Sequence, residues 1–394
     1  MYDISIIGGC GHVGLPLAIA LADKGKKVCI LDINRESLDQ VRNGVMPFAE
    51  EGAEPLLKKN TANGNLSVSE DPACISDSEI IISIVGTPVD EHLNPQFTLM
   101  RRVIDAYAEH FRDGQLLILR STVFPGISQK VRDWLLERGK NVHVAFCPER
   151  ILEGKAMTEL ESLPQIISSF SCEGLEMARK TFSLLTNDIV VVEPMEAELA
   201  KLFTNVWRYI KFAAANQFYM IANNYNLNFY NIYHAMTHNY ERAKDFPRPG
   251  LAAGPCLFKD AMQLGAFNSG DFYLGHTAML INEGLPNYMT KKLKQKYDLS
   301  TMTVGILGMA FKAGSDDIRE SLSYKLKKIM QLEAKRVLCT DPHVKDERLL
   351  PLQKVLDESD IIIIATPHPE YKNIAIEDKI IADIWNVLGK GGII

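Results

Sequence analysis

Ile4-Ser5-Ile6-Ile7-Gly8-Gly9-Cys10-Gly11-His12-Val13-Gly14 is an apolar run that breaks into a glycine-spaced turn, and the helical stretch Leu15–Lys24 follows it. A second apolar run, Val28–Leu31, ends in Asp32. Strand, glycine turn, helix, strand and acid in this order are what a dinucleotide-binding βαβ unit requires. Gly9 permits a tight turn, Gly11 lets the backbone approach a pyrophosphate, and Gly14 brings helix and strand together. With His12 and Val13 they border a helix amino terminus, whose free N–H groups and dipole suit phosphate. Asp32 is placed to accept a hydrogen bond from a ribose 2′-hydroxyl, which favours NAD over NADP. Arg35 is a weak cue the other way.

Outward from this unit, Asp77–Pro88 and Leu116–Val123 each read as a buried strand ending in a polar loop. Ligands of open parallel sheets sit beyond the carboxyl ends of the strands, so Thr87 and Thr122 belong to the cofactor crevice or else cap their strands. The C-terminal part repeats the layout. Val304–Gly308 enters a glycine turn, Arg336–Asp341 echoes Lys27–Asp32, and Glu358–Pro367 echoes Asp77–Pro88. The second turn lacks the full glycine spacing, so a nucleotide rather than a dinucleotide is expected there. The fold expected is α/β, with two Rossmann-like parallel-sheet domains (1–190 and 296–394) joined by a central helical domain (191–295).

Met195–Asn223 carries apolar residues at Leu199, Leu202, Phe203, Val206, Ile210, Ala213, Ala214 and Ile221, with no Pro or Gly, and the spacing predicts one long helix. Lys201, Asn205 and Asn216 lie near one stripe of it, for which a solvated face is the plainer expectation. Downstream, Cys256 sits in the Gly/Pro-rich loop Arg248–Cys256, with Lys259 and the carboxylate of Asp260 just after it. A redox cofactor plus an activated thiol suggests a definite chemistry: an aldehyde made by hydride removal is trapped as a thiohemiacetal, oxidised to a thioester and hydrolysed. A packing role for the cysteine stays open on spacing alone.

Composition narrows the classes. The chain has 394 residues, 43 Lys and Arg against 49 Asp and Glu, and a net charge of −6, which gives no general pull toward nucleic acid. No apolar run approaches the roughly 20 residues of a membrane helix. No charged-then-apolar segment opens the chain, so a cytoplasmic protein is expected. The seven cysteines form no C-x-x-C pair, so neither a disulfide framework nor a structural metal is expected; six should pack and one should work.

Six ordered motifs resemble the UDP-glucose/GDP-mannose dehydrogenase family, the nucleotide-sugar 6-dehydrogenases, over essentially the whole chain. They are Gly9–Gly14; Ser121-Thr122-Val123-x-Pro125-Gly126; Cys147-Pro148-Glu149-Arg150; Glu198-Leu199-Ala200-Lys201-Leu202-x-x-Asn205; Gly254-Pro255-Cys256-Leu257-x-Lys259-Asp260; and Gly305-x-x-Gly308-Met309-Ala310-Phe311-Lys312 with Asp316-Asp317-x-Arg319-x-Ser321. The resemblance implies an NAD-dependent, four-electron oxidation of the C6 hydroxyl of a UDP-hexose to the uronate, with Cys256 as the covalent nucleophile. It implies that Lys201 and Asn205 stabilise oxyanions at C6, that Asp260 and a water held by Thr122 handle protons, and that Glu149 assists thioester hydrolysis. A salt bridge from Glu149 to Arg150 is the structural alternative. Glu153 resembles the family's loop between cofactor and sugar phosphate. Leu152, Phe311, Lys312 and Arg319 would bind substrate, with an inter-domain ion pair as the rival for Arg319. Arg248 could reach substrate from a partner subunit, since the family dimerises through its central helices.

The pattern also departs from the family. Alanines occupy the cysteine loop where many members carry glycine and Ser or His. Cys147–Arg150 is similar to the branch acting on UDP-N-acetylglucosamine or UDP-N-acetylmannosamine, whereas Leu257–Asp260 is similar to the UDP-glucose branch. Arg150, suited to shaping an acyl pocket, leans the expectation to the N-acetylhexosamine side. Two other classes compete: a two-electron dehydrogenase on a β-hydroxyacid scaffold, and a nucleotide-sugar-binding protein without turnover.

Overall fold

The leucine and β-branched runs form strands buried from both faces, the mark of a parallel sheet covered by helices on each side. The computed structural model describes residues 1–86, 90, 96–252, 254, 256–376, 378–392 and 394. Its first compact unit, Met1–Thr204, contains β1 (Tyr2–Ile7), β2 (Val28–Leu31), β3 (Leu66–Ser69), β4 (Ser78–Ser83), β5 (Leu116–Leu119), β6 (His143–Phe146), β7 (Gln165–Ser169) and β8 (Ile189–Val191). Among the described residues these form one sheet in the order β3-β2-β1-β4-β5-β6-β7-β8. The chain reverses direction across the sheet between β1 and β4, and the crevice above that point is where a doubly wound sheet binds ligand.

One pair departs from the parallel expectation: β7 runs antiparallel to β6, with Ala145 opposite Ser169 and Phe146 opposite Ser168. The helix between them, Ala156–Ser162, has seven residues. The 147–164 connection returns the chain at the carboxyl end of β6 without crossing the sheet, so β7 enters from that end.

The second unit, Asn205–Ile394, holds β9 (Thr303–Leu307), β10 (Arg336–Thr340), β11 (Ile361–Ile364) and β12 (Ile380–Ala382), all parallel in the order β10-β9-β11-β12. Its core unites the sheet with helices of the middle segment: Tyr219, Phe229, Leu285, Met289 and Leu293 pack with Val304, Ile306, Leu326 and Ile363.

The long helix spans Pro194–Asn224 and has two faces. Phe203, Trp207, Phe218, Ile221 and Tyr225 are exposed, Trp207 by 57%. At 3.6 residues per turn they fall within an arc of about 60°. Phe203 and Ile221 are thus outside the core that their apolar character predicted. Glu198, Asn205 and Asn216 lie on the opposite arc and are buried. Of the stripe expected to be solvated, Asn205 and Asn216 are buried and Lys201 is half-buried.

Candidate active site

In the first unit the glycine turn follows β1. The left-handed residue is Gly8, with φ +72°, one position before the fingerprint. Gly9 and Gly14 serve packing: a Cβ on Gly14 would lie 2.6 Å from the Gly9 Cα, and one on Gly9 would meet Ile30 at 2.9 Å. A Cβ on Gly11 would meet nothing within 4 Å, so the turn is open on that side. Asp32 braces the turn, accepting from the Cys10 N–H at 2.9 Å and the Asn34 N–H at 3.0 Å. Val13 precedes the helix Gly14–Asp23. This cradle fits the pyrophosphate of a dinucleotide. Arg35 pairs with Glu70 at 2.8 Å, which opposes its use on a 2′-phosphate.

The segment after β2 adds residues whose sequence context carries no motif. Phe48 stacks on His12 with ring centroids 4.0 Å apart. Glu50 accepts from the Gly154 and Ala156 N–H groups at 2.9 and 2.7 Å, capping the helix Ala156–Ser162 and fixing the loop that holds Glu153. Burial pushes the Glu50 carboxyl up from its ordinary range, against the backbone donors that lower it. Leu152, in the same loop, is partly exposed, and its N–H donates to Glu159. Thr122 follows β5 in the loop to Gly126, half-buried. Thr87 lies outside the described residues.

Glu149 is 6% exposed, and its ion-pair partner is Arg120, not Arg150. It also accepts from the Arg150 and Ile151 N–H groups at 2.7 and 3.0 Å. Arg120 is fully buried and donates to the Cys147 carbonyl and to Gln165, with its guanidinium 4.6 Å from the Phe182 ring centroid. The Arg150 guanidinium donates to the Pro164 carbonyl. Arg120 went unread in the sequence. Its signal was a lone cation directly after the wholly apolar strand β5, where burial demands an anionic partner.

Lys201 lies on the long helix, half-buried. In the second unit, Cys256 is exposed at the start of the helix Leu257–Phe267, where the amino-terminal dipole favours a thiolate. Asp260, one turn on, is fully buried; it accepts from the Asn205 amide at 2.6 Å and pairs with Lys259 at 3.5 Å. Lys259 thus faces the carboxylate expected of the site. The cysteine loop is held at Gly250 and Gly254. The Gly250 N–H donates to Asn216 at 2.8 Å, and Asn216 in turn donates to Asn282. Gly250 lies flat on Trp385, whose ring a Cβ would meet at 2.2 Å. Gly254, at φ +125°, sits on Phe311, whose ring a Cβ would meet at 2.8 Å. Ala253 and Pro255 lie outside the described residues. Lys312 stands 5.5 Å from the Phe311 ring centroid. Arg319 forms a local fork with Asp317, at 2.5 to 3.0 Å. Arg248 is exposed, 6.0 Å from the Tyr230 ring.

Of the cysteines, Cys10, Cys29, Cys74, Cys147 and Cys339 are buried. Cys172 corrects the expectation of six packed thiols: it opens the helix Cys172–Phe182 and is exposed.

The second glycine turn is closed from within. Asp341 accepts from the Met309, Ala310, His343 and Val344 N–H groups and contacts His368 Nε2 at 3.1 Å. Gly308, at φ +93°, packs on Thr366. The N–H groups that would cradle a pyrophosphate thus hold the chain's own carboxylate. His343, His368 and Glu370 bring potential metal-ligand atoms within 4.8 Å of one another. His368, however, accepts from the Gly314 N–H at Nδ1, which leaves Nε2 as the protonated nitrogen facing Asp341, so neither is available to a metal. Burial alone would raise the Asp341 carboxyl, but the His368 contact and the backbone donors hold it well below the usual range. A depressed folded value adds stability present above the unfolded value of about 3.9 and lost as pH falls below it. Asp341→Asn is therefore expected to flatten the fall in urea midpoint between about pH 5 and pH 2, relative to the parent chain; an unchanged slope would assign that fall to other carboxylates.

Comparison with known proteins gives a consistent result. Models of the UDP-glucose/GDP-mannose dehydrogenase family match residues 2–185 (NAD binding domain), 195–282 (central domain) and 305–390 (UDP binding domain). A UDP-N-acetyl-D-mannosamine dehydrogenase of Pyrococcus horikoshii is 32% identical, over 96% of this chain and 94% of that protein. An NDP-N-acetyl-D-galactosaminuronic acid dehydrogenase of Ralstonia nicotianae is 25% identical, over 96% and 95%. A solved UDP-glucose dehydrogenase from Pyrobaculum islandicum superposes with a TM-score of 0.90 at 25% identity, covering 97% of this chain and 94% of that one.

Proposed function

The chain belongs to the UDP-glucose/GDP-mannose dehydrogenase family of NAD-dependent nucleotide-sugar dehydrogenases, and from that premise we propose that it oxidises the C6 hydroxyl of a UDP-N-acetylhexosamine to the uronate, in four electrons and through Cys256. The observation that carries this is the cluster around the thiol: Cys256 opens a helix, and Asp260, one turn on, is buried and held by Asn205 at 2.6 Å. The N-acetylhexosamine is favoured because the Pyrococcus and Ralstonia relatives are named for acetamido sugars.

NAD, when bound, takes up hydride. Every other task falls to the chain. Gly9, Gly11, His12, Val13, Gly14 and Asp32 hold the dinucleotide, Thr87 and Thr122 belong to the cofactor crevice, and Glu153 to the loop between cofactor and sugar phosphate. Cys256 adds to the C6 aldehyde as a thiohemiacetal and carries the sugar as the thioester that results from its oxidation. Lys201 and Asn205 stabilise negative charge on the C6 oxygen. Asp260, with a water ordered by Thr122, moves the protons of the first oxidation and of hydrolysis, and Glu149 assists hydrolysis as general acid and base. Phe311, Lys312 and Arg319 hold the nucleotide diphosphate, with Arg150, Leu152 and Arg248 toward the sugar. On this reading 1–190 is the cofactor domain, 191–295 the helical domain with the cysteine loop, and 296–394 the UDP domain.

The exposed stripe Phe203, Trp207, Phe218, Ile221 and Tyr225 supports a homodimer through the long helices, because aromatic side chains in line on one helix face favour a partner surface. No described helix is long and apolar enough to cross a membrane, and a cytoplasmic enzyme making a uronic acid donor for polysaccharide is the reading that fits.

Following NADH with UDP-N-acetylmannosamine, UDP-N-acetylglucosamine, UDP-glucose and GDP-mannose side by side tests the reading. Two NADH per sugar are expected, with an acetamido substrate turned over fastest. One NADH per sugar would replace it with the two-electron scheme, and none with any sugar would favour a binding protein.

A further inference from the structure

We propose that Glu198 is a positioning residue that sets Lys201 against the loop carrying Thr122. This rests on the reading above that Lys201 serves the chemistry. The helix Ile127–Glu137 begins at Gly126, which is left-handed (φ +91°) and has no side chain with which to cap its own helix. The first N–H groups of a helix have no partner within it and need one from elsewhere. Here the partner comes from the long helix. Glu198, 1% exposed, accepts from the Gly126 N–H at 2.5 Å, from the Ser128 N–H at 2.9 Å and from the Ser128 hydroxyl at 2.7 Å.

Burial pushes the Glu198 carboxyl up from its ordinary range, and the Gly126 and Ser128 donors pull it back. Burying a carboxylate is costly unless its hydrogen bonds are made. A side chain at position 126 could not supply the cap instead, because a residue with a Cβ is strained at φ +91°. What the imported carboxylate adds is a fixed distance between two segments. On one side, Val123 and Pro125 are buried between Thr122 and Gly126, leaving the loop little room to shift. On the other, Lys201 is the next residue but two on the same helix, about 60° around the axis, so a displacement at Glu198 is passed on to it. The motifs Ser121–Gly126 and Glu198–Asn205, far apart in sequence, are thereby joined at one carboxylate.

The test is a double-mutant cycle with the nucleotide sugar that the parent enzyme turns over. Glu198→Gln is expected to lower kcat about 10- to 100-fold, with KM for NAD within about twofold, since a displacement of about 1 Å can cost about a hundredfold. In a Lys201→Ala background the same change is expected to cost less than about threefold, because it acts through the lysine. An unchanged kcat, or an equal fold loss in both backgrounds, overturns the proposal. Should Glu198→Gln fail to fold, Ser128→Ala removes only the hydroxyl donor; a several-fold loss of kcat that vanishes in the Lys201→Ala background supports the proposal, and an equal or absent loss overturns it. A Lys201→Ala enzyme with parental kcat would instead remove the reading of Lys201 itself.

Discussion

Cys256→Ser is expected to lower uronate formation by at least about a thousandfold while leaving the fold intact. A serine hydroxyl is not ionised near neutral pH, so it is a poor nucleophile where a thiolate is a good one. An ester formed at serine would also be a less reactive acyl donor than the thioester. The side chain at 256 is exposed and adds nothing to a core, so stability should change little. The loop keeps its other supports: Gly250 on Trp385, Gly254 on Phe311, and the Asn216 hydrogen bond. Thermal midpoint and substrate affinity should therefore stay near parental values as turnover collapses. NADH counted against uronate, with a carbonyl trap in the assay, decides the matter. Two NADH per sugar at a rate within about tenfold of the parent would refute the covalent route. Trapped aldehyde with about one NADH per sugar would place the lesion at the second oxidation.

Much of the fold is written in local pattern. Ile4–Gly14 and Val304–Gly308 announce two glycine turns because a strand, a tight turn and a helix start each need particular residues at fixed offsets. The antiparallel β7 does not announce itself, since an apolar strand reads the same in either direction and the 147–164 connection carries no motif that says at which end of the sheet it returns. The two echoing acids look equivalent in sequence but differ in surroundings: Asp32 braces a turn that stays open at Gly11, whereas Asp341 takes four backbone donors and His368, from 27 residues downstream, and fills its own crevice.

The site divides in the same way. Cys256, Asp260 and Asn205 carry motif signals, and the structure brings the Asn205 amide to the Asp260 carboxylate. Asn205 and Asn216 sit on a stripe that periodicity alone reads as solvated, because a polar face meeting polar partners has the same pattern as one meeting water. Glu50 and Phe48 belong to no pattern; their partners, the 154–156 backbone and His12, are set only by tertiary folding.

Arg120→Met should produce the largest loss of stability. The side chain is of similar length and apolar, so the site stays filled, but three polar groups lose their donor. Glu149 would retain only the Arg150 and Ile151 N–H groups, and Gln165 and the Cys147 carbonyl would lose the guanidinium. Removing one partner of a buried ion pair costs about 3–5 kcal/mol, because the other charge remains buried without compensation. Against a total of about 5–15 kcal/mol that is a large fraction. At about 2–4 °C per kcal/mol for a unit of this size, the thermal midpoint of the first unit should fall by about 10 °C. Glu149→Gln in the same chain removes the uncompensated charge, so Arg120→Met with Glu149→Gln should be more stable than Arg120→Met alone, although inactive if Glu149 assists hydrolysis. Arg120→Lys keeps the charge but not the fork that reaches Cys147 and Gln165, and should fall between parent and Arg120→Met. A midpoint for Arg120→Met within about 2 °C of the parent, or a double variant less stable than the single one, would mean that the pair is not what holds the loop after β6 in place.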